Sequence, residues 1–108
     1  MSFHVNVLYP NPEGATFDLD YYLKSHMPLV KKNWSSFGLK GYTVTQAQPG
    51  PDGAKPQYSI LAVLHWEKAE DVGKAMGDQD TAGPILGDIP NFSNQQPIFL
   101  TGPVVGKD

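Results

Sequence analysis

From Phe3 to Tyr9 the chain alternates: Phe3, Val5, Val7 and Tyr9 fall on one side and His4, Asn6 and Leu8 on the other, which is the period of a strand. The loop Pro10-Asn11-Pro12-Glu13-Gly14 ends it. The period then changes. Tyr22, His26, Leu29 and Val30 recur at spacings of three and four, with Leu19, Leu23 and Met27 beside them, which predicts a helix opening at Asp18. The Asp18 carboxylate suits the N-cap, and Phe17 and Tyr22 stand where a hydrophobic staple forms. Pro28 lacks an N–H for the Lys24 carbonyl and pushes Met27 away from helical dihedrals, so the helix should kink or restart there. The restart is expected from Leu29 to about Phe37, with Gly38 as the stop.

Leu39 to Gln48, rich in Tyr and Thr, reads as a second strand with Gly41 as a bulge, and Pro49-Gly50-Pro51-Asp52-Gly53 as the turn after it. Gln57 to Trp66 is the clearest strand. Tyr58, Ile60, Ala62, Leu64 and Trp66 share one face, while the other carries Gln57, Ser59, Leu61, Val63 and His65, so apolar residues on both sides make it central. Ala69 to Met76 is a short helix closed by Gly77. Gly83 to Asn94 is punctuated by Gly and Pro and predicts at most one turn, around Ile85–Leu86. Ile98 to Val105 is a last strand whose Pro103 belongs on an edge or at a bulge. The order β-α-β-β-α-β is the split βαβ arrangement of one α+β domain over residues 1–108. Helices on one face of such a sheet leave its other face needing cover, and a second copy is a natural source.

Composition narrows the chemistry. A chain of 108 residues buries roughly 65% of its unfolded surface, enough for a modest core. The net charge is −3, with no basic cluster beyond Lys31–Lys32, so nucleic acid is not an expected partner. Cys is absent, which excludes disulfides, thiolate metal sites and cysteine nucleophiles. MSFHVNVLYP has neither a basic nor an apolar leader region, and no stretch approaches the ~20 apolar residues of a membrane span, so a cytoplasmic location is expected. There is no G-x-G-x-x-G, Walker loop, H-E-x-x-H or G-x-S-x-G. His4, His26 and His65 lack local ligand spacing, so neither a metal nor an organic cofactor is expected.

What remains is an imidazole at a helix fault. His26 lies on the apolar face beside Tyr22, just before Pro28, and an inward His can act as acid or base near neutral pH. The alternative is a core His bonded to a carbonyl that Pro28 sets free. His65 would join His26 only if its strand face looks toward the helix. Tyr9, Trp34 and Phe92 are core material first, and a few of them lining a pocket would favour a flat apolar ligand. Asp88 can cap or brace the segment that closes the pocket, with Asn91 and Phe92 as its wall.

Two blocks carry a family resemblance. Phe17, Asp18, Asp20, Tyr21, Tyr22, His26, Met27, Pro28, Leu29 and Val30, followed by Asp88, Ile89, Pro90, Asn91, Phe92, Ser93, Asn94 and Pro97, resemble the signatures of the EthD-like family, named for ethyl tert-butyl ether degradation. The resemblance implies a ferredoxin-like subunit that forms a homodimeric α+β barrel. The wider barrel group includes polyketide cyclases, decarboxylases, isomerases and cofactor-free monooxygenases. The expectation is therefore a cofactor-independent enzyme acting on a small hydrophobic or aromatic carbonyl compound. His26 and Tyr22 would be its catalytic pair, with Tyr9, Trp34, His65, Asn91 and Phe92 contacting substrate. Oxygenation and a non-catalytic binding or accessory role stand as alternatives.

Overall fold

In the computed structural model, which describes residues 2–108, the alternating segments become four strands in one antiparallel sheet. These are β1 (Phe3–Pro10), β2 (Leu39–Gln46), β3 (Tyr58–Trp66) and β4 (Ile98–Pro103), in the order β2-β3-β1-β4. The fold is ferredoxin-like α+β. β3 is interior, as its two-sided apolar pattern requires, and β4, which ends on Pro103, is an edge. The register shifts between Leu39 and Gly41, so the bulge falls where the glycine predicts it.

Opposed residues of an antiparallel pair share a face, so the pairings Val5↔Leu64, Val7↔Ala62 and Val7↔Phe99 put these side chains on the helix-covered side. Val5, Val7, Tyr9, Ile60, Ala62, Leu64 and Trp66 are buried there. His4, Asn6, Leu8, Leu61, Val63, His65, Ile98 and Leu100 occupy the opposite, uncovered face.

The helical layer departs from expectation twice. The first helix, α1, is continuous over residues 19–34: an α turn (Leu19–Tyr21), a π segment (Tyr22–His26) and an α segment (Met27–Trp34). Asp18 caps it, with Oδ1 accepting from the Tyr21 N–H at 3.1 Å, and the Phe17 and Tyr22 rings pack 4.9 Å apart as the staple. Pro28 does not break it. Met27 keeps helical dihedrals (φ −66°, ψ −38°) and its N–H reaches back five residues to the Tyr22 carbonyl. The wider π turn relieves the clash between the proline ring and the carbonyl one α turn earlier, so the fault is absorbed as a change of register within a continuous helix. Gly38, at φ 119°, ends the segment, and a Cβ there would meet the Asp71 carboxylate at 2.6 Å.

The second departure is helical where a loop was expected. After α2 (Ala69–Gly77), the residues Gln79–Gly87 form α3 with Pro84 inside it, followed by a 3₁₀ turn at Ile89–Asn91. Ala82 and Ile85 are buried in the core, so tertiary packing overrides the low helix propensity of Gly83 and Pro84. Among the described residues no helix is long and apolar enough to cross a membrane.

Candidate active site

The π segment aims two side chains at the sheet. Tyr22 and His26 are both buried, and their rings stack 5.3 Å apart at 15°, which fixes the imidazole plane. Residues 88–93 are tied to the start of α1 by the Asp18 N–H on the Phe92 carbonyl at 2.7 Å and by the bridge Phe17↔Ser93. That lacing brings Asp88, at the junction of α3 and the 3₁₀ turn, against His26 across 62 residues of sequence.

His26 Nδ1 lies 2.9 Å from Asp88 Oδ2. The freed-carbonyl reading of this histidine is therefore replaced by a carboxylate partner. Asp88 is itself fully engaged: Oδ1 accepts from the Tyr21 hydroxyl at 2.5 Å and from Asn91 Nδ2 at 2.9 Å. Burial would raise the Asp88 carboxyl, but the donors Tyr21, Asn91 and His26 outweigh it and hold the group below the usual carboxylate range. Burial pushes His26 below its ordinary value, with Asp88 only partly offsetting it. The resulting state is a carboxylate beside a neutral imidazole. An ionised Asp88 can only accept, so it selects the Nδ1–H tautomer and leaves a lone pair on Nε2.

His26 contributes to a cavity of about 30 Å³, lined also by Tyr9, Tyr22, Met27, Val30, Trp34, Ala62 and Leu64. That is room for one or two waters. Burial drives the phenols of Tyr9 and Tyr22 well above the usual tyrosine range, so both stay protonated, and the two hydroxyls interact with each other. Trp34 lines the cavity with its ring, while its Nε1 donates to Thr81 Oγ1 at 3.2 Å. A neutral imidazole beside two protonated phenols and apolar walls can accept a proton and offer hydrogen bonds to a polar group in the cavity.

Three expected contacts lie elsewhere. His65 is on the uncovered sheet face, turned away from His26, where its Nδ1 lies 2.9 Å from Nε2 of His4. Strand alternation fixed this, since Leu64 and Trp66 on either side face the helices. Asn91 is exposed and braces Asp88 instead of lining the cavity. Phe92 is buried against the His26 ring, centroids 4.5 Å apart, and backs the imidazole from outside the cavity lining. Among the described residues no three His, Asp or Glu side chains gather as a metal site would need. The site residue that sequence reasoning underused is Asp88; its signal was an acidic residue next to the Ile89-Pro90-Asn91-Phe92 block. Tyr21 was quoted for the resemblance without a role.

This fold has a solved counterpart of similar sequence. The chain is 34% identical to a solved EthD-like protein from Ralstonia eutropha JMP134, over 99% of this chain and 95% of that one, with a TM-score of 0.88. It belongs to the EthD-like family. A solved ethyl tert-butyl ether degradation family protein from Bacillus halodurans C-125 is 22% identical, over 97% of this chain and 100% of that one, with a TM-score of 0.75. Two further structures share the fold alone. One is a dimeric ferredoxin-like protein from an uncultured marine organism (13% identity, coverages 100% and 98%, TM-score 0.64). The other is SnoaB, a cofactor-independent oxygenase from Streptomyces nogalater (11% identity, coverages 99% and 96%, TM-score 0.57). No protein-family model and no curated protein matches the chain.

Proposed function

We propose that the protein is a cofactor-independent enzyme that moves a proton on a small hydrophobic or aromatic carbonyl compound, with His26 Nε2 as the general base. The observation that supports this reading is the 2.9 Å contact between Nδ1 of His26, a residue of the cavity lining, and Asp88, which leaves the second ring nitrogen unprotonated. His26 takes the proton from the carbon next to the carbonyl, the C–H electron pair moves into the enolate, and a phenol of Tyr22 or Tyr9 donates to the enolate oxygen. Asp88 steadies the imidazolium until the proton is returned at another atom. Cyclisation, dehydration, decarboxylation and isomerisation can all pass through that enolate.

The test is turnover of candidate β-dicarbonyl and phenolic ketone compounds by wild type and His26→Ala. A loss of at least ~100-fold is expected, the low end for a general acid–base residue. Ligand binding that survives the substitution, with no turnover by wild type, would instead make the protein a carrier. SnoaB is a cofactor-independent oxygenase of the same fold, and the same enolate could pass electrons to dioxygen. Oxygen uptake coupled to substrate loss separates that reading from proton transfer alone.

Two copies would pair through the uncovered sheet face into an α+β barrel. The face carries Leu8, Leu61, Val63, Ile98 and Leu100, and fold neighbours include dimeric ferredoxin-like proteins. Sedimentation equilibrium should give twice the subunit mass of 11.8 kDa, and Leu61→Asp should return it to one subunit.

A further inference from the structure

The lining of the His26 cavity is buried at every position except Met76, Leu86 and Phe99. Leu86 and Phe99 are 44% and 42% exposed, and Met76 is half-buried. These side chains come from three elements: Met76 from α2, Leu86 from α3 and Phe99 from the edge strand β4. Among the described residues, the exposed part of the lining therefore lies between the two later helices and β4.

Size makes that location matter. The cavity, at about 30 Å³, is several-fold smaller than the roughly 150 Å³ that accommodates a benzene ring, so a ring can enter only if side chains move. The buried walls are locked by close packing, and displacing them costs core contacts. Met76, Leu86 and Phe99 carry part of their surface in solvent and can swing outward at much smaller cost. Met is unbranched and adaptable, and Phe99 offers a flat face at the threshold. No charged side chain belongs to the mouth, and the Asp88 carboxylate is held on the His26 ring that lines the cavity behind it.

We propose that Met76, Leu86 and Phe99 form the apolar mouth of the His26 cavity and set its specificity, admitting flat uncharged aromatic molecules and excluding anions. This deepens the proposed function and uses the same cavity, but it concerns admission rather than chemistry. An anion would lose its hydration in passing three apolar side chains and would then meet a neutral imidazole beside a carboxylate.

Calorimetric titration with 1-naphthol and with 1-naphthoate, one ring system differing in charge, tests the proposal. Wild type should bind 1-naphthol at least tenfold more tightly than 1-naphthoate. Leu86→Asp and Phe99→Asp should each weaken 1-naphthol binding roughly tenfold or more. Leu23→Asp, at a position equally exposed (45%) but outside the lining, should stay within twofold of wild type. Equal affinity for the two compounds, no 1-naphthol binding by wild type, or unaffected mouth variants would each overturn the proposal. If a carboxylate variant fails to fold by circular dichroism, stopped-flow binding to Phe99→Ala and Leu86→Ala decides. Association should then be several-fold faster, and an unchanged rate would overturn the mouth. Because binding is the readout, failure of His26 as a base, read by turnover, leaves this result standing, and the converse holds.

Discussion

Asp88→Asn reverses one hydrogen-bonding sense at the centre of the site without changing its size. In the native protein both donors to Oδ1, Tyr21 and Asn91, need an acceptor, whereas Oδ2 meets only His26. The amide oxygen therefore takes the Oδ1 place, and the NH₂ group faces His26 Nδ1. Two donors cannot share that contact, so the imidazole must accept at Nδ1 and carry its proton on Nε2, the nitrogen proposed as the base. The base is lost although every partner is satisfied. Three charge-assisted bonds become neutral ones at a difference of about 1 kcal/mol or less each, so destabilisation of about 2 kcal/mol is expected. Turnover should fall by roughly 10²–10⁴, the usual contribution of a general base, with little change in 1-naphthol affinity. Nitrogen-15 NMR of the imidazole reads the tautomer directly, and urea unfolding reads the stability. A variant that keeps its proton on Nδ1, or turns over like wild type, would refute the assignment of Asp88 as the positioning residue for His26.

Stability should fall as the solution is acidified. His26 and His65 are held below their ordinary values by burial, His65 also by the neighbouring His4, so the unfolded chain takes up protons first, below about pH 6.5. Asp88 is depressed as well, so its contribution is present above the unfolded carboxylate value near 4 and is lost as pH drops through the lower folded one. Denaturant midpoints at pH 7.5 and 5 check the first part, and in His26→Gln the drop should shrink. The same depression places the acid limb of the pH–rate profile below pH 6.5; a limb above 7 would contradict a neutral His26. Thr81→Ala leaves the buried Trp34 N–H without its acceptor and should cost about 1–3 kcal/mol in urea unfolding. Gly38→Ala forces a Cβ into positive φ against Asp71 and should destabilise by more than about 1 kcal/mol.

The local signals were legible because they are local. Alternation in Phe3–Tyr9 and Gln57–Trp66, the Asp18 cap, the Phe17–Tyr22 staple, the Gly38 stop and the Gly41 bulge depend on a few neighbouring residues and came out in place. The resemblance carried by the blocks around His26 and Asp88 led to the family. Pro28 and Pro84 misled, because the cost of a proline in a helix is a local quantity. A π turn lowers it at Pro28, and the burial of Ala82 and Ile85 outweighs it at Pro84. His65 was left to depend on which face of its strand meets the helix, and Asn91 was expected in the pocket wall; the strand register and the 3₁₀ turn decide both. The contact with most chemical consequence, His26 with Asp88, joins residues whose separation in sequence says nothing about distance in space. The chain by itself determined which residues could titrate and which faces would be apolar, because side-chain chemistry and periodicity are written residue by residue. Only the tertiary structure decided which carboxylate meets the imidazole and which nitrogen is left free, because that choice depends on how the closing segment laces onto the first helix.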